Sequence, residues 1–232
     1  MKKNMLRLLA VCLAAVMVYS GYRVWKAYGD YRAEAKAHHA VLEYKPDPRD
    51  GEIANQSIID LQAQYPDVIG WLTVPGTKID YPFVRSRDND DYLRRDLNGE
   101  YAPAGTLFMD CRCAPDLSSR NTIIYGHNMR NGSMFGTLKA FADKDFFEAN
   151  PSGAIYLPHD TLALEFFAYM VVKNTDETVY SADCDGNYFE YIERSARNYR
   201  DIGLAGGDKI VTLSTCSYEF NNARMALLAR AR

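Results

Sequence analysis

From Asp67 onward the chain breaks into short apolar runs, rich in β-branched residues and separated by turn formers. Val68–Val74 stops at Pro75-Gly76, and Ile79–Val84 follows it. Thr106–Asp110, Asn121–Gly126, Ala154–Leu157, Leu162–Lys173, Lys209–Thr215 and Ala223–Ala229 complete a set of eight expected strands. Only two stretches between them read as helix, Ser133–Ala149 (SMFGTLKAFADKDFFEA) and Asn187–Asn198 (NYFEYIERSARN). A doubly wound parallel sheet needs regular strand–helix alternation, which this order lacks. The expected class is mainly β with helices, a barrel or sandwich with decorating helices. With 232 residues, 47% of them apolar, the chain can bury a sizeable core in one domain.

The N-terminus obeys a different rule. Leu8–Tyr22 (LLAVCLAAVMVYSGY) carries no charge, and Lys2, Lys3 and Arg7 precede it. A spanning helix wants about 20 apolar residues and a cleaved signal about 7–15. Arg7 and Arg23 can snorkel to lengthen the span, and Val18-Tyr19-Ser20 is a poor cleavage site. An uncleaved signal anchor is therefore expected ahead of a cleaved signal, and either puts the body outside the cytoplasm, with orientation set by the N-terminal basic cluster. Asp30–Tyr44 follows as a polar, Ala-rich helical stalk ending at Pro46 and Pro48, and Glu52–Gln64 as a helix with Ile53, Ile58, Ile59 and Leu61 on one face. Charge divides at the same place. Residues 1–32 hold six basic residues and one acidic one, so the totals of 27 and 30 leave 21 basic against 29 acidic beyond them, a net −8. A body this acidic argues against nucleic acid as a partner.

Three strand ends carry chemistry. IIYGHNM, Ile123 to Met129, delivers His127; IVTLSTCSYEF, Ile210 to Phe220, delivers Cys216; and Arg224 lies at the start of the last strand. A thiol nucleophile needs a base or imidazolium partner, and acyl transfer needs a donor where the oxyanion forms. Each residue alone has a plainer explanation, since a free cysteine is most often a small buried hydrophobe. Together they point to a cysteine acyl-transfer enzyme. The five cysteines fit no zinc spacing. A bridge from Cys184 to either Cys111 or Cys113 stays open.

TLSTC at 212–216, with Arg224 eight residues after the cysteine, resembles the signature of sortases, membrane-anchored cysteine transpeptidases of Gram-positive bacteria. YGHNMRNGSMFGTLKAF (125–141), FMDCRC (108–113) and DNDDYLRRD (88–96) resemble the class B form, in consistent order from about residue 50 to the C-terminus. The resemblance implies an eight-stranded barrel with N-terminal helices and an inserted helix between strands six and seven, here Asn187–Asn198. It divides the chain into an anchor (1–28), a stalk (29–49) and a catalytic domain (50–232). It implies Cys216 as nucleophile, His127 as proton carrier and Arg224 as oxyanion and substrate holder. It also implies a C-terminal sorting signal of secreted proteins as donor and an amine of peptidoglycan or its precursor as acceptor. Pilin polymerisation or a cell-wall cysteine endopeptidase are the alternatives. With less force it places Ser214, Asn89, Leu93 and Tyr180 against the bound signal. No cofactor and no metal site is expected, since no acidic ligand cluster is legible.

Overall fold

The computed structural model describes residues 2–47, 55–184 and 186–232. Two compact units emerge, Met1–Ala40 and Val41–Arg232. The first is the bulk of one 40-residue helix, α1 (Lys2–Val41), long and apolar enough to cross a membrane. At 1.5 Å per residue it spans about 60 Å. It runs without a break through the expected boundary between anchor and stalk, because no proline occurs before Pro46 and good helix formers fill the stalk. A 3₁₀ turn at Leu42–Tyr44 ends it. Pro48, Glu52 and Ile53 lie outside the described residues, and the second helix is α2 (Gln56–Gln64).

Nine strands follow among the described residues: β1 (Val68–Thr73), β2 (Asp80–Val84), β3 (Leu107–Met109), β4 (Asn121–Tyr125), β5 (Ser152–Leu157), β6 (Asp160–Lys173), β7 (Asn198–Tyr199), β8 (Lys209–Cys216) and β9 (Ala223–Ala231). Their order is β5-β1-β2-β3-β4-β8-β9-β6, and β6 pairs back onto β5, closing an eight-stranded barrel. The two-residue β7 is an addition, paired with Ala168 and Tyr169 of β6 outside the ring. All eight expected strands are present.

Both helical expectations need correction. Asn187–Asn198 forms α4 only over Tyr188–Ser195, because Asn198 instead pairs with Tyr169 as part of β7. Ser133–Ala149 is not one helix. Met134 adopts a left-handed φ of 49° and bridges Asn128, so the first turns stay irregular. A 3₁₀ segment at Leu138–Ala142 then leads to Asp143, whose carboxylate accepts from Phe146 N and starts a separate helix, α3 (Lys144–Ala149).

The barrel strands read as nearly continuous apolar runs because several are buried on both faces. Leu72, Phe83, Leu107 and Met109 join the barrel interior, whereas their neighbours Trp71, Val84 and Phe108 point outward. Ile58 and Leu61 of α2 cover that outer face, and all five of these outer-layer side chains are buried. Trp71 Nε1 donates to Asp80 Oδ1 at 2.8 Å, so its polar edge is satisfied as well.

Candidate active site

The site lies on the outer face next to that layer, beyond the Phe108–Tyr125 ring contact, where β4, β8 and β9 run side by side. β4 and β8 are parallel, with Tyr125 opposite Ser214. Gly126 N continues the ladder to Ser214 O at 3.2 Å, which sets His127 beside the end of β8. Position 126 must be glycine for packing reasons: a Cβ there would run into Leu107 and Phe135. Antiparallel β9 places Arg224 directly across from Cys216, and the Arg224 Nη1 donates to Cys216 Sγ. Two residues eight apart in sequence thus meet through a hairpin. Cys216 and Arg224 are both partly exposed, as reactive side chains must be.

His127 is half-buried and its Nε2 lies 2.7 Å from Leu93 O. A carbonyl oxygen only accepts, so Nε2 carries the proton and Nδ1 is the ring's acceptor in the neutral form. Burial pushes the imidazole pKa below its ordinary value, opposed by the Leu93 bond and assisted by the charges of Arg94 and Arg224. The Leu93 carbonyl is itself fixed by a tight turn. Gly105 sits at φ +60°, where a Cβ would lie 2.5 Å from Leu93 O, and Thr106 N donates to Tyr92 O at 3.1 Å.

The other expected residues divide. Ser214 and Tyr180 are brought together, with their hydroxyls 2.9 Å apart in a buried contact, Ser214 lying two residues before Cys216. Burial raises the Tyr180 phenol to about 12, so it stays neutral. Leu93 belongs to the 3₁₀ turn Asp91–Arg94, its side chain partly exposed. Asn89 precedes that turn rather than lying on it, and its Oδ1 accepts from Cys111 N at 2.8 Å. Cys111, Cys113, Cys184 and Cys216 form no disulfide, so the bridge from Cys184 to Cys111 or Cys113 is absent. No cluster of three potential metal ligands occurs among the described residues.

Several contributors were missed by motif reasoning. Asn128 Nδ2 donates to Cys216 O at 2.9 Å, tying the loop that carries His127 to the backbone of Cys216. Asn121 Nδ2 donates to Val179 O and Ser181 O at 3.0 and 2.9 Å, and its Oδ1 accepts from Thr212 Oγ1 at 2.8 Å. That side chain grips the backbone on both sides of Tyr180. Its only sequence signal is a polar residue heading an apolar strand run, where a buried amide must find partners.

Comparison with known proteins agrees with this arrangement. The sortase domain family matches residues 72–232. The chain is 33% identical over 231 residues to sortase B of Listeria monocytogenes, covering 94% of this chain and 93% of that protein. The crystal structure of Bacillus anthracis sortase B in complex with AAEK1 superposes with a TM-score of 0.77 at 31% identity, covering 88% of this chain and 98% of that one. A Streptococcus pyogenes class B sortase involved in pilus biogenesis gives 0.70 at 29% identity, covering 75% and 97%. The closed barrel is thus that of a transpeptidase enzyme. The chain belongs to the sortase family, and within it to class B.

Proposed function

We propose that the enzyme cleaves a C-terminal sorting signal through a thioester at Cys216 and transfers the acyl group to an amine of peptidoglycan or its precursor. The observation that carries this is the Arg224–Cys216 contact across β8 and β9, with His127 at the neighbouring strand end. Cys216 Sγ attacks the carbonyl carbon of the scissile peptide as its thiol proton passes to His127, and Arg224 stabilises the oxygen as it gains charge. His127 gives a proton to the departing amine as the C–N bond breaks, leaving the thioester. It then accepts a proton from the incoming amine, whose nitrogen attacks the same carbon while the C–S bond breaks. Water in place of the amine gives hydrolysis. Asn89 and Leu93 line one side of the bound signal and Tyr180 the other, with the buried Ser214 hydroxyl holding Tyr180 from behind. No cofactor takes part. The helix α1 anchors the enzyme by a single pass, with the barrel outside the cytoplasm, which fits secreted donors and a cell-wall acceptor.

The test is incubation with sorting-signal peptides, with and without an amine acceptor. The parent should form the amine adduct. Cys216→Ala should form none, and Arg224→Ala should lose roughly 10²–10³-fold in kcat/KM. Cleavage by Cys216→Ala at the parental rate would sink the proposal. Peptide release that never yields an adduct would indicate an endopeptidase. A second possibility, polymerisation of pilin subunits, draws support from the Streptococcus pyogenes relative described as involved in pilus biogenesis. It predicts that a lysine side chain of a protein subunit outcompetes cell-wall amines as acceptor.

A further inference from the structure

One buried ion pair on this face is used by none of the steps above. Asp110, directly after β3, is fully buried, and Arg112 meets it with a two-pronged contact: Nε to Oδ1 at 2.9 Å and Nη2 to Oδ2 at 2.8 Å. The Arg112 backbone N also donates to Oδ1 at 2.9 Å. Burial alone would raise the Asp110 pKa, but these bonds, with that of Tyr125, hold it below the usual carboxylate range. The Arg112 side chain is 59% exposed, so it contributes little core packing. What it does touch is informative.

The pair reaches two site elements. Tyr125 OH donates to Asp110 Oδ2 at 2.9 Å, and the Tyr125 and Tyr180 rings lie 6.3 Å apart. Arg112 Nη2 also donates to Tyr180 O at 3.3 Å. The turn that carries Arg112 reaches a third. Cys111 N is held by Asn89, while Arg85 donates to Cys111 O and Cys113 O at 2.7 and 3.1 Å. One short turn therefore joins Asn89 on one side to Tyr180 on the other, passing Tyr125 on the way.

We infer that Asp110 and Arg112 are positioning residues, a brace that sets the spacing between Asn89 and Tyr180 across the signal groove proposed above. Neither touches Cys216, Arg224 or His127 by hydrogen bond, so the brace acts on peptide binding and leaves the chemistry of the thiol alone. The bidentate geometry suits arginine, since a lysine in its place keeps the charge and one bond but not the fork.

Steady-state kinetics on a fluorogenic sorting-signal peptide test this, with the full chain and with alkylation of Cys216 by iodoacetamide followed by mass spectrometry. Arg112→Ala should raise KM on the order of tenfold with kcat within about twofold, as expected when an interaction common to ground and transition states is lost. Arg112→Lys should recover part of the increase, and the Cys216 alkylation rate should match the parent in both. Removing the partner of a buried carboxylate can unfold a protein. If Arg112→Ala shows no cooperative melt, Arg112→Lys and the paired change Asp110→Asn with Arg112→Gln decide, each expected to raise KM. Tyr180→Ala is the control for the groove itself. A raised KM in Tyr180→Ala with parental KM in the folded Arg112 variants overturns the brace. Parental KM in Tyr180→Ala overturns the groove assignment and the brace with it.

Discussion

The two outer faces of the barrel solve the same problem with different chemistry. Under α2, Trp71, Val84 and Phe108 meet Ile58 and Leu61 in a sealed apolar layer. On the strands that follow, the outer side of β4 and β8 presents Asn121, Thr212 and Ser214, all buried, and every one is hydrogen-bonded. Apolar contact is non-directional and tolerates small shifts, whereas a hydrogen bond fixes distance and angle. The first face supplies stability and the second supplies geometry, at the end of the barrel where Cys216, Arg224 and His127 emerge.

Truncating the sealed face should give the largest effect on folding. Trp71→Ala is expected to cost about 3–5 kcal/mol in urea unfolding while kcat/KM per folded molecule stays near parental. A matching fall in kcat/KM would mean the two faces are not separable. Asn121→Ala should cost less, about 1–3 kcal/mol, because it leaves the carbonyls of Val179 and Ser181 and the Thr212 hydroxyl without partners. Unlike Trp71→Ala it should also raise KM, since the segment carrying Tyr180 loses its grip. An unchanged KM would reduce the polar face to another source of stability.

The smallest effect concerns pH. The folded His127 pKa is below that of the unfolded chain, about 6.5, so the unfolded state binds the proton first. The contribution of the neutral, buried ring is present in full above about pH 6.5 and is lost as pH falls through the folded value. The stability difference between parent and His127→Gln should therefore shift against the parent between pH 7 and 5. A difference that is flat over this window would rule out a lowered pKa.

The strands were legible because their apolar runs end at strong turn formers, as Val68–Val74 does at Pro75-Gly76. Cys216 and Arg224 were legible because a hairpin turns sequence spacing into contact. The break in Ser133–Ala149 was not, since it depends on Met134 bridging Asn128 and donating its N–H to Tyr81 OH at 3.3 Å, 53 residues away. The Asn121 grip and the Arg112–Tyr180 contact span 58 to 91 residues. Bonds of that range exist only once the barrel has closed, and no local pattern encodes them.

Closure also limits how a peptide can be recognised. In an open sheet, an extended ligand can add itself as one more strand and be held by main-chain bonds that any sequence can make. Here the pairing of β6 with β5 consumes the last long free edge, and among the described residues only the two-residue β7 stands outside the ring. A peptide bound on this barrel must therefore be read across a face, through side chains and loops, so discrimination between peptides rests on individual residues and not on a shared backbone ladder.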